Sequence, residues 1–182
     1  VVYLKDYQPS AYLINRTELH FQLHEDEVIV ASRIHLVRIN ALAQNTSLSL
    51  NGEEMELLSV SVDGRELGEH EYIVSAESLV IHAVPEQCVV ACETRILPQE
   101  NTSLSGLYKS RSLFCTQCEA EGFRRITYYI DRPDVMSVFT VTVEGEYERY
   151  PVLLSNGNLI ETQQLAEGRH STVWHDPFPK PA

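Results

Sequence analysis

The residues with the most chemistry per position lie between Cys115 and Val135, in CTQCEAEGFRRITYYIDRPDV. This stretch gathers thiols at Cys115 and Cys118, carboxylates at Glu119, Glu121, Asp131 and Asp134, and guanidinium groups at Arg124, Arg125 and Arg132. With Cys88 and Cys92 upstream the thiols number four, the donor set of a structural zinc site. Cys88 and Cys92, however, sit inside QCVVAC, a strand pattern rather than the tight knuckle that zinc ribbons use. Free cysteine commonly packs as a small hydrophobe, and a redox Cys-x-x-Cys pair belongs in a βαβ context. Packing is therefore the expected role of the cysteines.

Two segments begin like the zinc-peptidase helix motif, HEDEV at 24 and HEYIV at 70, but valine stands where the second imidazole must be. None of the seven histidines neighbours a nucleophile in a strained turn, and no glycine-rich phosphate loop occurs. No catalytic residue and no metal ligand is assigned within this chain.

TQCEAE offers a different kind of chemistry. If it is extended, Gln117, Glu119 and Glu121 point to one side while Thr116, Cys118 and Ala120 point to the other. An amide beside carboxylates suits an ammonium group, because the carboxylate pairs with the charge and the amide oxygen accepts a further hydrogen bond. The plainer reading is a solvated acidic edge balanced by Arg124, Arg125 and Arg132, and on spacing alone that reading stands ahead.

The elements that must position these groups are strands. Period-two alternation runs through most of the chain, as in TELHFQLHEDEVIVASRIHLVRI, where Leu19, Phe21 and Leu23 share one face and Glu18, His20 and Gln22 the other. Further strands are expected at MELLSVSV, SLVIHAV, QCVVACETRIL, SVFTVTVEG, RYPVLLS and HSTVWHD, with Asp63-Gly64 and SNGN (155 to 158) as turns. No stretch keeps a helical period over three turns. The expected fold is all-β, an antiparallel β-sandwich or related sheet assembly, with a short irregular or helical segment near 119–135. LPQENTSLSGLYKSRS, 97 to 112, reads as a second irregular segment. The proline-rich tail from about 176 to 182 reads as the start of a linker, which makes 1–182 a single domain excised from a longer chain.

Composition closes off several function classes. The net charge of −12 and isoelectric point near 4.9 leave no basic stripe to release counterions from nucleic acid. No apolar run approaches the roughly 18 residues of a membrane span, and VVYLKDYQPS lacks the regions of an export signal. The expected compartment is the cytoplasm, with reduced thiols. The sequons at Asn15, Asn45 and Asn101 then carry no information.

Three blocks in fixed order, GLYKSRSLFCTQCEAEGFRRITYYIDRPDV, YPVLLSNGN and WHDPFPKP, closely resemble the N-terminal domain of the bacterial aminopeptidase N family, zinc metallopeptidases of the M1 group. The likeness extends along essentially the whole chain. It implies a saddle-shaped β domain that covers the active site of a neighbouring thermolysin-like catalytic domain. It also implies that Gln117 and Glu119 anchor the free α-amine of a peptide substrate, and that Glu121 does not. By the same resemblance, the zinc ligands, general-base glutamate, Gly-x-Met-Glu-Asn segment and oxyanion-stabilising tyrosine belong to the catalytic domain and have no counterpart here. Zinc is then a cofactor of the full-length enzyme, the partners are peptide N-termini and the chain's own catalytic domain in cis, and the isolated fragment is inactive. The physics suits an exopeptidase: a free α-amine has a pKa of about 8, and an opposite charge about 4 Å away contributes on the order of 4 kcal/mol before desolvation. The alternative is a free-standing β-sandwich binding or scaffold module, which a downstream His-Glu-x-x-His would rule out.

Overall fold

The computed structural model describes residues 3–39 and 47–182, so the sequon at Asn45 lies outside the described residues. In chain order the strands are β1 (Tyr12–Leu23), β2 (Val28–Arg38), β3 (Leu48–Asn51), β4 (Glu56–Val62), β5 (Arg65–Glu66), β6 (Tyr72–Val74) and β7 (Ser78–Ile81). They continue with β8 (Gln87–Ile96), β9 (Gly106–Ser110), β10 (Leu113–Gln117), β11 (Ser137–Glu146), β12 (Asn158–Gln164) and β13 (Arg169–Lys180). Among the described residues there is no α-helix, only short 3-10 turns, so the all-β expectation holds.

The strands form an eight-stranded sheet in the order β12-β13-β11-β1-β2-β8-β4-β5, a three-stranded sheet β3-β7-β6, and the hairpin β9-β10. All pairs in the large sheet are antiparallel except β1 beside β11. Alternation decides which face of this sheet is buried: Leu19, Phe21 and Leu23 of β1, Val28, Val30, Ile34 and Leu36 of β2, and Cys88, Val90, Cys92 and Ile96 of β8 all enter the core. The opposite face is charged, with Glu18 bridged to Arg16 at 2.7 Å and Glu144 to Arg169 at 2.6 Å. At Asp63-Gly64 both φ angles are positive, +51° and +80°, as a tight hairpin between β4 and β5 requires.

Between β10 and β11 the chain crosses the inner face of the large sheet. It begins with the 3-10 turn Phe123–Arg125 and continues through Ile126, Thr127, Tyr128, Tyr129, Ile130 and Asp131, all buried. A buried irregular segment carries polar groups that must find partners. The sheet supplies them as a row of hydroxyls at inner-face positions, one on each strand in turn. Thr94 of β8 donates to the Ile126 carbonyl at 3.2 Å, and Ser32 of β2 meets the Thr127 hydroxyl at 2.9 Å. Thr17 of β1 meets the Tyr129 hydroxyl at 3.1 Å and Ser137 of β11 at 2.8 Å. On its other side the segment is held by β3: the Asn51 and Tyr129 backbones exchange hydrogen bonds of 2.7 and 3.1 Å, and the Asn51 side chain accepts from the Asp131 N–H at 3.2 Å. Gly52 admits the Tyr128 ring, since a Cβ there would lie 2.2 Å from ring carbon Cε1. Phe123 and Tyr129 stack edge to face, with centroids 4.9 Å apart, and tie the segment into the aromatic core.

Three expectations need correction. The stretch 97–112 is not irregular to its end, because Gly106–Ser110 is β9 and pairs with β10. RYPVLLS is not a strand; residues 151–155 are unpaired, and the strand begins only at Asn158, beyond Gly157. Nor is the tail a linker from 176 onward, since β13 runs to Lys180. Its prolines are tolerated because β12 pairs with β13 only as far as His175, so beyond that residue β13 is bonded only to β11, through pairs at Asp176 and Lys180.

All four cysteines are free. Burial pushes the thiols of Cys88 and Cys92 up, to about 11 and about 12, and that of Cys118 to about 11. Such thiols stay protonated near neutral pH and are weak nucleophiles and poor metal ligands. Alkylation of the native protein is expected to leave Cys88 and Cys92 unmodified until denaturant is added; peptide mapping after iodoacetamide checks this, and native labelling at Cys92 would contradict its packing role. Thr17→Val removes the hydroxyl that meets both the buried Tyr129 hydroxyl and Ser137 and is expected to cost about 1–3 kcal/mol in urea unfolding. Thr17→Ser, which keeps the hydroxyl, is expected to cost about 1 kcal/mol or less. Equal effects of the two would mean that apolar contacts alone hold the crossing segment.

Candidate functional site

Gln117 ends β10, and the next five residues, 118–122, form the turn that leads into the 3-10 turn Phe123–Arg125. The Gly122 N–H closes the turn on the Cys118 carbonyl at 2.7 Å, and the Glu119–Ala120 peptide bond is cis. The extended alternation expected for TQCEAE therefore stops at Gln117. Gln117 and Glu119 still come together: the Gln117 amide nitrogen donates to the Glu119 carbonyl at 3.2 Å, and both side chains are exposed at the same cleft. Glu121, with φ +69°, leaves this group, does not line the cleft, and faces Arg124 at 3.4 Å.

The ion pairs of the segment divide its acids into two groups. Arg124 holds Asp131 at 2.9 Å as well as Glu121, and its Nη2 donates to the Asp131 carbonyl at 2.9 Å. Arg125 pairs with Glu53 at 3.3 Å and with Glu54, and Arg132 pairs with Asp134 at 2.6 Å. The Arg132 guanidinium hydrogen-bonded to Asp134 holds that carboxyl below its usual range. The acidic edge is thus balanced by arginine at Glu121, Asp131 and Asp134. Glu119 is different: among the described residues no cation lies within ion-pair distance of its carboxylate.

The cleft measures about 920 Å³. Its floor is the apolar inner face of β1 and β11, with Phe21, Leu23, Val141 and Val143, and its walls include Phe114 of the hairpin, Leu153 and Ala182. The polar groups of Gln117 and Glu119 are thus set on an apolar concavity, the pattern in which a few polar atoms orient a ligand. The cation in the cleft lining is already paired: Lys180 is bridged to Asp176, and on the far side of the hairpin Lys109 sits 2.8 Å from Glu25, which Arg149 also pairs. Among the described residues no three His, Cys, Asp or Glu side chains gather as metal ligands. The exposed carboxylate and amide at the cleft rim are acceptors of the kind that suit a cation with hydrogen-bond donors.

Sequence spacing brought Gln117 and Glu119 to notice but grouped Glu121 with them. The separation of the acids depends on Arg124 and on Gly122, whose close approach to the Gln117 carbonyl has no periodic signal.

The family model for the peptidase M1 N-terminal domain matches residues 8–182. Aminopeptidase N of Caulobacter vibrioides is 46% identical over 181 residues, covering 100% of this chain and 21% of the relative. Aminopeptidase N of Escherichia coli is 42% identical over 179 residues, covering 98% of this chain and 20% of the relative. Among solved structures, aminopeptidase A of Legionella pneumophila in complex with aspartic acid superposes with a TM-score of 0.91 at 36% identity, over 98% of this chain and 21% of that one. The M1 zinc metallopeptidase of Deinococcus radiodurans gives a TM-score of 0.78 at 14% identity, over 94% of this chain and 40% of that one, and shows the shared fold. The chain spans about one-fifth of the length of the curated relatives it matches. With almost every residue matched and the fold in register, this chain belongs to the peptidase M1 N-terminal domain family.

Proposed function

We propose that this chain is the substrate-anchoring N-terminal domain of a zinc aminopeptidase that removes residues from peptide N-termini. Gln117 and Glu119 hold the free α-amine, and a catalytic domain in cis performs the hydrolysis. The observation that carries the proposal is the Glu119 carboxylate, which stands at the rim of the cleft with no cation beside it while Glu121, Asp131 and Asp134 are each paired with arginine. An ammonium group supplies the missing charge, and the Gln117 side-chain oxygen is free to accept from it once the amide nitrogen is engaged with the Glu119 carbonyl. An internal or blocked amide brings no such charge, so the pair selects chain ends.

Relatives of solved structure are zinc metallopeptidases. The residues described here do not form a zinc site, and the thiols of Cys88, Cys92 and Cys118 are held protonated by burial, so in this reading zinc is bound by the remainder of the protein. The net charge of −12 supports peptide rather than nucleic-acid partners. None of the described helices is long and apolar enough to cross a membrane, and the reading places the enzyme in the cytoplasm.

Hydrogen bonds to charged groups contribute about 1.5–3 kcal/mol. In the full-length protein Glu119→Gln is therefore expected to lower kcat/KM on an aminoacyl arylamide roughly tenfold to a hundredfold. Glu121→Gln loses only an exposed pair and is expected to stay within about twofold. An unchanged Glu119→Gln variant, or equal losses in the two, would remove Glu119 from the anchoring role.

A further inference from the structure

The backbone of Gln117 is held between two glycines. On one side Gly106 is its pairing partner in the hairpin. On the other, a Cβ built on Gly122 would lie 2.7 Å from the Gln117 carbonyl oxygen, 2.8 Å from Ser105 Oγ and 3.0 Å from Cys118 Cα. Carbon atoms do not approach other atoms this closely, and two of the three obstacles are backbone that cannot rotate away. Gly106 has its own limit, because its φ is +76° and a Cβ there would lie 2.7 Å from Arg125 Cβ. The end of β10, the turn carrying Glu119 and the 3-10 turn behind it thus meet backbone to backbone.

The torsions show what glycine is for at position 122. Its φ and ψ are −92° and −13°, in the right-handed region open to every L-residue. Glycine is required there by space and not by conformation, unlike at Gly106. The same residue donates the 2.7 Å hydrogen bond to the Cys118 carbonyl that closes the turn. A methyl group at 122 would therefore have to drive the turn away from the end of β10, separating Glu119 from Gln117.

From this geometry we infer that Gly122 is a positioning residue: its missing side chain sets the spacing between Gln117 and Glu119 and hence their grip on a substrate amine. The inference rests on the amine-anchoring proposal above. Because Ala is compatible with the torsions of position 122, Gly122→Ala tests the contact alone. Misplacement of a binding group by a fraction of an ångström to one ångström is costly, so in the full-length enzyme KM for an aminoacyl arylamide is expected to rise about tenfold or more, with a smaller change in kcat. The inhibition constant of a free amino acid should rise in step. Acetohydroxamate, which has no amine and binds through metal, should keep its affinity within about twofold, showing that the rest of the site is intact.

Unchanged KM and amino-acid inhibition in Gly122→Ala, alongside a weakened Glu119→Gln, would overturn the positioning role and leave amine anchoring in place. Unchanged behaviour in both variants would remove amine anchoring itself. Loss of acetohydroxamate affinity together with amino-acid affinity would make Gly122 a requirement of folding and would equally overturn the assignment. Gly122→Ala combined with Ser105→Gly, which removes one of the obstructing atoms, is expected to recover part of the lost affinity if the contact is the cause.

Discussion

The structure depends on the burial of a chain segment that has no regular hydrogen bonding of its own. From Ile126 to Asp131 every residue is buried, and each polar group left unmatched there would cost about 1–3 kcal/mol. The large sheet meets this cost with hydroxyls at Thr94, Ser32, Thr17 and Ser137, placed on successive strands beneath the segment as it crosses them. From the other side β3 adds the Asn51 exchange with Tyr129, and Arg124 closes the far end on Asp131. An ordinary aliphatic inner face would pack as densely but would leave the segment's polar groups unmet.

This buried crossing gives the exposed end its stability. The turn of Glu119 leads directly into Phe123, which is anchored in the aromatic core, so a surface loop inherits the rigidity of the interior. The same crossing distributes charge. Arg124 and Arg125, fixed by their buried neighbours, gather Asp131, Glu121, Glu53 and Glu54 around them, leaving Glu119 as the acid of the turn with no cation beside it. Under the proposed amine anchoring, such a carboxylate is preorganised: it need not break an internal pair before meeting a ligand.

Much of the fold was legible in the sequence because one face of the large sheet is buried and the other is wet. Leu19, Phe21 and Leu23 alternate with Glu18, His20 and Gln22 as the structure requires. Thr17, Ser32 and Thr94 fall on the apolar phase of their strands, a visible sign that something polar would lie against them. β12 gave no such sign, since every residue in it is exposed and no alternation is enforced. The tail misled for a related reason: prolines argue against a central strand, but β13 is paired on only one side where they occur. At the site, residue types and spacing grouped Gln117, Glu119 and Glu121 and only the resemblance singled out the first two; that Glu121 parts from them to face Arg124 depends on a turn at 118–122 that period-two reasoning cannot foresee.

The most direct test of the account is a crystal structure of the full-length protein with a free amino acid bound. The account predicts the ammonium nitrogen within about 2.7–3.2 Å of both the Glu119 carboxylate and the Gln117 side-chain oxygen, with Glu121 still on Arg124. An ammonium group seated on Glu121, or a Glu119 side chain turned away to pair with arginine, would contradict it.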